Sequence, residues 1–254
     1  MELFVRFDPG LEFFLPESLK GGGFTHQLNR RASVKDIIES FGIPHTEVGS
    51  IRLGGKRVGF GAVPDSDGSL EVCSPEEPFR VTAPSFLRPE PLRKIRFVAD
   101  VNVIRLGRLM ILAGFDVSYS SRYSDREIAD ISGDEKRIVL TRDTALLKQK
   151  KIVYARRVRS NLPYDQLAEV VRFFGLTPQA AFFSRCSTCN RPLEKVEKKK
   201  VMHLLEPKTR KYYDLFFQCP CCGQVFWRGS HYEKIRGSFQ SLGIRVHGRT
   251  DYDD

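Results

Sequence analysis

Two aspartates follow short apolar segments that have the composition of buried strands. Asp100 ends the run R-F-V-A-D, and Asp143 ends the run R-I-V-L-T-R-D. Such runs, bounded by polar residues, predict buried strands. Because sites in parallel sheets form at the carboxyl ends of the strands, both carboxylates are expected at one edge. Asp125 begins a predicted helix that could face the same cleft, although an aspartate at a helix start also compensates the helix dipole.

Three or four carboxylates in one cleft would hold Mg²⁺ or Mn²⁺, which prefer hard oxygen ligands. One or two such ions can activate a water molecule and stabilise the leaving oxygen of a phosphodiester. Glu127 is a candidate fourth member of this group. However, Ser124 and Glu127 also have the spacing of a capping box, which would explain Glu127 without a metal. The acidic residues indicate a hydrolase only if the fold brings them together.

The cysteines give a more specific pattern. Of six cysteines, four form two C-x-x-C pairs with 29 residues between them: Cys186 with Cys189, and Cys219 with Cys222. In a cytosolic chain this pattern favours a metal over disulfides, and four thiolates bind Zn²⁺ in a closed, structural site. A redox dithiol would need only one pair. Cys221 is then spare, and a full set of cysteines makes His231 unnecessary as a ligand.

Positive charge is concentrated in the C-terminal part of the chain. Residues 141–254 contain 22 Lys and Arg against 11 Asp and Glu, whereas residues 1–140 contain 19 against 20. This asymmetry favours a polyanionic partner, most simply nucleic acid, over a merely solvated surface. Lysines near aromatic residues can bind phosphates and stack bases. The candidate residues are Lys198, Lys199, Lys200 and Lys211, with Trp227 and His231 either bracing the metal site or contacting RNA.

The elements that must position these residues follow from apolar periodicity. Residues 96–148 alternate strand, helix, strand, helix and strand, which predicts an α/β domain with a parallel sheet. Gly107 lies inside the first helix, where a glycine costs about 1 kcal/mol, so a close approach is expected there. Residues 1–86 combine short strands with one helix beginning after Ser33, which suggests a β-grasp, ubiquitin-like domain. This domain lacks a terminal glycine pair, so docking or stabilisation is favoured over activated-tail chemistry.

The predicted organisation has five parts. They are a β-grasp domain at 1–86, a linker at 87–94, an α/β domain at 95–182, a zinc ribbon at 183–240 and a flexible tail at 241–254. No apolar run approaches the roughly 20 residues of a membrane span. The charged N-terminus does not have the pattern of a signal peptide, so we expect a cytoplasmic protein.

Several motifs in order resemble one family. They are F-V-A-D at 97–100, S-D-R-E at 124–127, T-R-D at 141–143, R-C-S-T-C-N at 185–190 and C-P-C-C-G-Q-V-F-W-R-G-S-H at 219–231. Together they resemble the Mut-seven C-terminal RNase domain, a PIN-like nuclease fold joined to a zinc ribbon. The run G-I-P-H-T-E-V-G at 42–49 looks like the ubiquitin-like domain often found ahead of it.

The resemblance implies roles for individual residues. Asp100, Asp125 and Asp143 match the PIN-like acidic residues, with Glu127 as a fourth candidate. Arg108 and Arg142 match basic positions near that site and could contact phosphate. Two positions depart from the family pattern, because Ile104 replaces a glycine and Gly107 replaces an alanine; these departures concern local helix geometry rather than the acidic set.

The expected function is therefore that of a metal-dependent ribonuclease. Mg²⁺ or Mn²⁺ would occupy the acidic site, Zn²⁺ would hold the ribbon, and the ribbon would aid RNA binding. The rival is a catalytically inactive RNA-binding or adaptor protein associated with ribosomes or tRNA, and a toxin-like PIN nuclease is a weaker third alternative. The N-terminal domain could bind a protein partner. Charge alone does not separate RNA from DNA, because phosphate contacts are largely blind to the sugar.

Overall fold

The N-terminal residues form a mixed five-stranded sheet with one helix packed against it. The strands are β1 (Glu2–Phe7), β2 (Phe24–Gln27), β3 (Ser50–Leu53), β4 (Lys56–Arg57) and β5 (Gly68–Cys73), and the helix is α1 (Val34–Ser40). Their order is β2-β1-β5-β3-β4, with β1 and β5 parallel and the other pairs antiparallel. This arrangement confirms the β-grasp prediction. The structure, a computed structural model, describes residues 1–176, 181–244 and 247–248.

The central domain contains a parallel four-stranded sheet, as the alternating pattern predicts. Its elements are β6 (Phe97–Ala99), α2 (Ile104–Leu112), β7 (Val117–Tyr119), α3 (Asp125–Glu135), β8 (Ile138–Thr141), β9 (Ala155–Arg157) and α4 (Pro163–Phe174). The strand order is β7-β6-β8-β9. All residues of β6 and β8 are buried, since helices cover both faces of a parallel sheet. The carboxyl ends of these two central strands therefore meet at one edge.

Gly107 allows helix α2 to lie close to this sheet. A Cβ atom at Gly107 would lie 3.1 Å from the Cβ of Ala99 and 3.6 Å from a methyl group of Val117. These two neighbours are on β6 and β7. The predicted close approach is confirmed, and the glycine occurs where the helix crosses the two strands that lead to Asp100 and Asp125.

The C-terminal part contains a three-stranded antiparallel ribbon. The C-terminal strands are β10 (Ala181–Phe182), β11 (Glu194–Val196), β12 (Phe216–Gln218), β13 (Val225–Trp227) and β14 (His247–Gly248), and β11-β12-β13 form the ribbon. The lysine-rich insertion between β11 and β12 folds as α5 (Lys198–Val201) and α6 (Pro207–Tyr212). Val201 at the end of α5 and Leu205 between the two helices are buried in one cluster with Phe216, which anchors the insertion on the ribbon.

Helix α7 (Ser230–Ser241) follows the ribbon in sequence but packs on the central domain. Its Tyr232 and Phe239 side chains join the core formed by α2 and α4. Ile244, inside the predicted flexible tail at 241–254, is 2% exposed, and β14 pairs in parallel with β10. This described portion of the tail is therefore packed. Residues 245–246 and 249–254 of the predicted tail lie outside the described residues.

The segment predicted as a linker, 87–94, forms a packed junction between the N-terminal and central domains. Arg88 is 3% exposed. Its guanidinium donates hydrogen bonds to the carbonyls of Val48 at 2.8 Å and Thr46 at 3.0 Å, and also to that of Val153 at 3.1 Å. Burial lowers the pKa of Arg88 to about 10, so the group stays charged at neutral pH. One side chain thus ties the two domains together.

None of the helices in the described part of the chain is both long and apolar enough to cross a membrane.

Candidate functional site

The acidic site lies at the carboxyl ends of β6 and β8. Asp100 directly follows β6, and Asp143 follows β8 by two residues. Asp125 is the first residue of α3, the helix that comes after β7. Asp100 is buried, Asp143 is half-buried and Asp125 is exposed. The three aspartates therefore differ in burial, from Asp100 in the core to Asp125 at the surface.

Asp100 is held by three hydrogen-bond donors. One carboxylate oxygen accepts the Thr141 hydroxyl at 2.7 Å and the Asn102 amide at 2.5 Å. The other oxygen accepts the backbone N–H of Val101 at 2.5 Å. A buried carboxylate with several donors keeps one orientation, because each lost hydrogen bond would leave a buried polar atom unsatisfied. Asp100 is thus the fixed point of the site.

Thr141 connects Asp100 to Asp143. Its hydroxyl oxygen accepts the backbone N–H of Asp143 at 2.9 Å while it donates to Asp100. Asn102 also donates to the Thr141 hydroxyl at 3.2 Å and accepts the backbone N–H of Arg142 at 3.0 Å. The sequence interpretation missed Thr141 and Asn102 as parts of the site. Thr141 could have been recognised as part of the site, because it is a polar residue at the end of an otherwise apolar strand.

The charges of the three aspartates interact. Partial desolvation, followed by the negative charges of Asp143 and Asp100, raises the pKa of Asp125. Such a shift is expected where like charges share a cleft. However, the three carboxylates do not converge as tightly as the cysteines, whose ligand atoms form the one such cluster in the described part of the chain. The acidic edge is therefore an open site.

Glu127 acts as a helix cap. Its carboxylate accepts the backbone N–H of Ser124 at 2.8 Å and the Ser124 hydroxyl at 2.7 Å. The Ser124 hydroxyl oxygen in turn accepts the Glu127 N–H at 3.3 Å. These hydrogen bonds from Ser124 lower the pKa of Glu127. The capping box, which was the structural alternative for Glu127, is the arrangement observed. The charges that raise the pKa of Asp125 are those of Asp143 and Asp100, and the Glu127 carboxylate is not among them.

The two arginines suggested by the resemblance occupy different places. The Arg142 guanidinium lies at the acidic edge and donates to the side-chain carbonyl of Asn161 at 2.8 Å. Arg108 is exposed on α2, with its guanidinium carbon 5.9 Å from the centre of the Tyr119 ring. Arg142 is therefore beside Asp143, whereas Arg108 lies over the end of β7.

The four predicted cysteine ligands come together. All four Sγ atoms of Cys186, Cys189, Cys219 and Cys222 lie within 4.8 Å of one another. Gly223 has a positive φ of 73°, which lets its N–H turn back to the Cys219 carbonyl at 3.0 Å. Burial opposes ionisation of Cys219, but the backbone N–H groups of Cys222 and Cys221 lower its pKa to about 7. Four soft thiolate donors suit a tetrahedral metal such as Zn²⁺.

Asp116 ties this cysteine cluster to the central sheet. Its carboxylate accepts hydrogen bonds from Arg137 at 2.7 Å and from Asn190, the residue after Cys189, at 2.9 Å. Arg185 lies 3.7 Å away. Although burial opposes it, the hydrogen bond and charge of Arg137 lower the pKa of Asp116. The ribbon is therefore fixed relative to the acidic edge by an ionised carboxylate.

The predicted RNA-binding residues of the ribbon lie in several environments. Lys198 pairs with Asp214 at 2.8 Å, and the Lys211 ammonium lies 5.3 Å from the centre of the Tyr212 ring. Lys199 and Lys200 are exposed. Trp227 packs against the apolar cluster of Val201, Leu205 and Phe216 and is not among the residues packed around the cysteines. The prediction for His231 concerns a side chain outside the described part of the structure.

The fold and site define a class: an α/β protein with an acidic edge on its parallel sheet and a four-cysteine ribbon packed along β7. The chain belongs to the Mut7-C RNAse domain family, which matches residues 95–239, more than half of its length. Residues 1–80 match the Mut7-C ubiquitin family. These matches confirm the family resemblance and the ubiquitin-like N-terminal domain. No curated protein and no solved structure matches the chain.

Proposed function

We propose that this protein is a metal-dependent ribonuclease that hydrolyses RNA phosphodiesters at the acidic edge of its central sheet. The observation that carries the proposal is the position of Asp100 and Asp143 at adjacent strand ends, joined through Thr141. Membership of an RNAse domain family supports the same class of reaction. The acidic edge supplies the type of ligands that such chemistry needs.

Asp100, Asp125 and Asp143 would hold Mg²⁺ or Mn²⁺. The donor set fits these ions, because carboxylate oxygens are hard ligands. Desolvation, and after it the negative charges of Asp143 and Asp100, raise the pKa of Asp125, and a divalent cation would neutralise those charges. The open spacing suits Mg²⁺, which usually keeps several of its waters. When bound, the ion would activate a water molecule and stabilise the leaving oxygen. Thr141 and Asn102 would keep Asp100 oriented throughout.

The cysteine ribbon would have a structural and an RNA-binding part. Cys186, Cys189, Cys219 and Cys222 would hold Zn²⁺, and the closed set of thiolates leaves no position for a reacting water. The exposed Lys199 and Lys200 would contact phosphates, and Lys198 and Lys211 would add to the same positive surface. Glu127 would support the site indirectly, by fixing the start of the helix that carries Asp125.

Replacement of Asp143 or Asp100 with asparagine is expected to abolish RNA cleavage while RNA binding remains. The reason is that an amide keeps the shape of the carboxylate but not the charge that holds the cation. The measurement is cleavage of single-stranded and structured RNAs with Mn²⁺, Mg²⁺ or EDTA, beside a binding assay in EDTA. The matched control is Asp134→Asn, an exposed acid on α3 roughly 13 Å along the helix from Asp125.

The outcomes separate nuclease from adaptor. Cleavage that requires metal, is lost in both variants and persists in Asp134→Asn supports the nuclease. Tight RNA binding by the parent protein, with no cleavage under any metal, would contradict it and favour the RNA-binding adaptor. Cleavage that survives EDTA and both substitutions would place the reaction elsewhere.

Mn²⁺ affinity at the acidic edge is expected to fall as the pH is lowered. The fall should begin at a higher pH than it would if Asp125 had the pKa of an ordinary aspartate. The sign follows from the raised pKa of Asp125, since protonation removes a negative charge that the cation needs. Titration calorimetry with Mn²⁺ across the acidic pH range measures this effect. The Asp125→Asn variant should bind more weakly and lose this part of the pH dependence; an unchanged pH profile in that variant would contradict the assignment.

A further inference from the structure

Two guanidinium groups at the acidic edge have no carboxylate partner. Within the described residues, neither Arg142 nor Arg157 has a carboxylate oxygen within 4.0 Å. Arg142 donates to the Asn161 amide at 2.8 Å, and Arg157 donates to the Thr144 hydroxyl at 3.0 Å. Both of these acceptors are neutral. Thr144 directly follows Asp143, so two guanidinium groups without a direct carboxylate contact lie beside the acidic site, although the charges of Asp143, Glu47 and Glu169 act on Arg157 from a greater distance.

The two arginines are also close enough to repel each other. Burial, followed by the positive charge of Arg142, lowers the pKa of Arg157. An anion that binds both guanidinium groups would relieve this repulsion. A phosphodiester is such an anion, and guanidinium groups match its planar pairs of oxygens.

The N-terminal domain contributes an aromatic side chain to the same place. The Arg157 guanidinium carbon lies 4.6 Å from the centre of the Phe13 ring, and that of Arg159 lies 5.1 Å from it. Phe13 nevertheless remains 47% exposed. An exposed aromatic ring beside arginines is a surface on which an unpaired base can stack.

Glu47 of the N-terminal domain fixes this junction. It is 1% exposed, and its carboxylate accepts the backbone N–H of Arg157 at 2.6 Å. Arg159 donates to the Gly10 carbonyl at 2.8 Å, close in sequence to Phe13. The end of β9 and the short 3-10 helix Glu12–Phe14, which carries Phe13, are therefore held together, so the aromatic ring has a defined position relative to the arginines.

We infer that Phe13, Arg142 and Arg157 form a composite surface that binds single-stranded RNA next to the acidic site. The two arginines bind phosphates of the strand, and Phe13 stacks an unpaired base. The inference rests on the proposed nuclease function for its choice of RNA. It gives the N-terminal domain a direct part in substrate binding, in addition to any role in docking a protein partner.

The test is binding of a fluorescent single-stranded oligoribonucleotide to the full chain in EDTA, followed by anisotropy at several salt concentrations. Phe13→Ala is expected to weaken binding about 5-fold or more, because stacking contributes on the order of 1–3 kcal/mol per base. Arg142→Gln and Arg157→Gln are each expected to weaken binding and to reduce the salt slope by about one. Phe13→Trp should retain binding, since a larger ring preserves stacking.

The chain offers a matched control pair. Arg57 lies over the ring of Phe86 at 5.0 Å, and Phe86 is 52% exposed, but Arg57 is on the edge strand β4. Arg57→Gln and Phe86→Ala should leave RNA affinity unchanged. Thermal unfolding of every variant checks that it is folded; the comparison between Phe13→Ala and Phe13→Trp separates stacking from a general loss of structure.

The results distinguish this inference from the nuclease proposal. Unchanged affinity in folded Phe13→Ala and Arg157→Gln, or no RNA binding by the parent, overturns the composite surface even if the parent cleaves RNA. Weaker binding in these variants, with the controls unaffected, supports the surface even if no cleavage occurs under any metal.

Discussion

If the four cysteines bind Zn²⁺ as proposed, replacement of Cys189 with serine is expected to abolish metal binding by the cluster and to unfold the ribbon. Structural Zn²⁺ contributes apparent binding free energies of about 10–16 kcal/mol, which is comparable to or greater than the whole stability of a small domain. The apolar cluster around the cysteines is small: besides Cys186 and Cys219, its buried members are Leu193, Phe217 and Phe226. The neighbouring cluster of Val201, Leu205 and Phe216 adds only three buried residues, so we expect the apolar packing to be too small to hold the ribbon strands together without the metal.

Zinc content per chain, measured by mass spectrometry, and limited proteolysis between β11 and β13 test this expectation. The matched control is Cys221→Ser, because Cys221 is exposed and neighbours Cys222 in sequence but is outside the four-sulfur cluster. Cys221→Ser should keep one zinc and the protease resistance of the parent. One zinc per chain and an intact ribbon in Cys189→Ser would contradict the four-cysteine assignment.

Replacement of Arg156 with methionine is expected to lower the free energy of unfolding by about 3–5 kcal/mol, the cost of leaving buried charges unpaired. Arg156 lies between two buried carboxylates, at 3.1 Å from Glu47 and 3.2 Å from Glu169. Its guanidinium carbon is also 4.0 Å from the centre of the Phe173 ring. Methionine preserves much of the apolar volume but removes the cation that the two carboxylates share, so that Glu47 keeps only the more distant Arg159, at 3.6 Å, as a charged partner.

Urea unfolding at neutral pH measures this loss. Arg172→Met is the matched control, because Arg172 also pairs with a glutamate, Glu77, at 3.6 Å, but both side chains are well exposed to solvent. Exposed pairs contribute only about 0–1 kcal/mol, so this control should be nearly neutral. Similar losses in the two variants would show that the buried network is not what holds the N-terminal and central domains together.

The local architecture and the four-cysteine cluster could be predicted from short stretches of the sequence. The strand and helix periods predicted the parallel sheet, and the ends of its strands predicted the edge that carries Asp100 and Asp143. The C-x-x-C spacing identified the four thiolates, and the spacing of Ser124 and Glu127 identified the capping box. These features depend on residues a few positions apart, so the composition of short segments is enough to specify them.

The way in which the parts combine could not be predicted, because it depends on contacts between distant segments. The run 42–49 is similar to a family motif, yet its sequence does not say that Glu47 binds Arg156 and the backbone of Arg157, 110 positions away. Likewise, Arg88 in the predicted linker is buried between domains, and helix α7 packs on the central core rather than on the ribbon. Such contacts depend on which surfaces meet when the domains dock. The docked arrangement depends on the summed burial, charge pairing and hydrogen bonding of distant segments. No local pattern in the sequence contains this information.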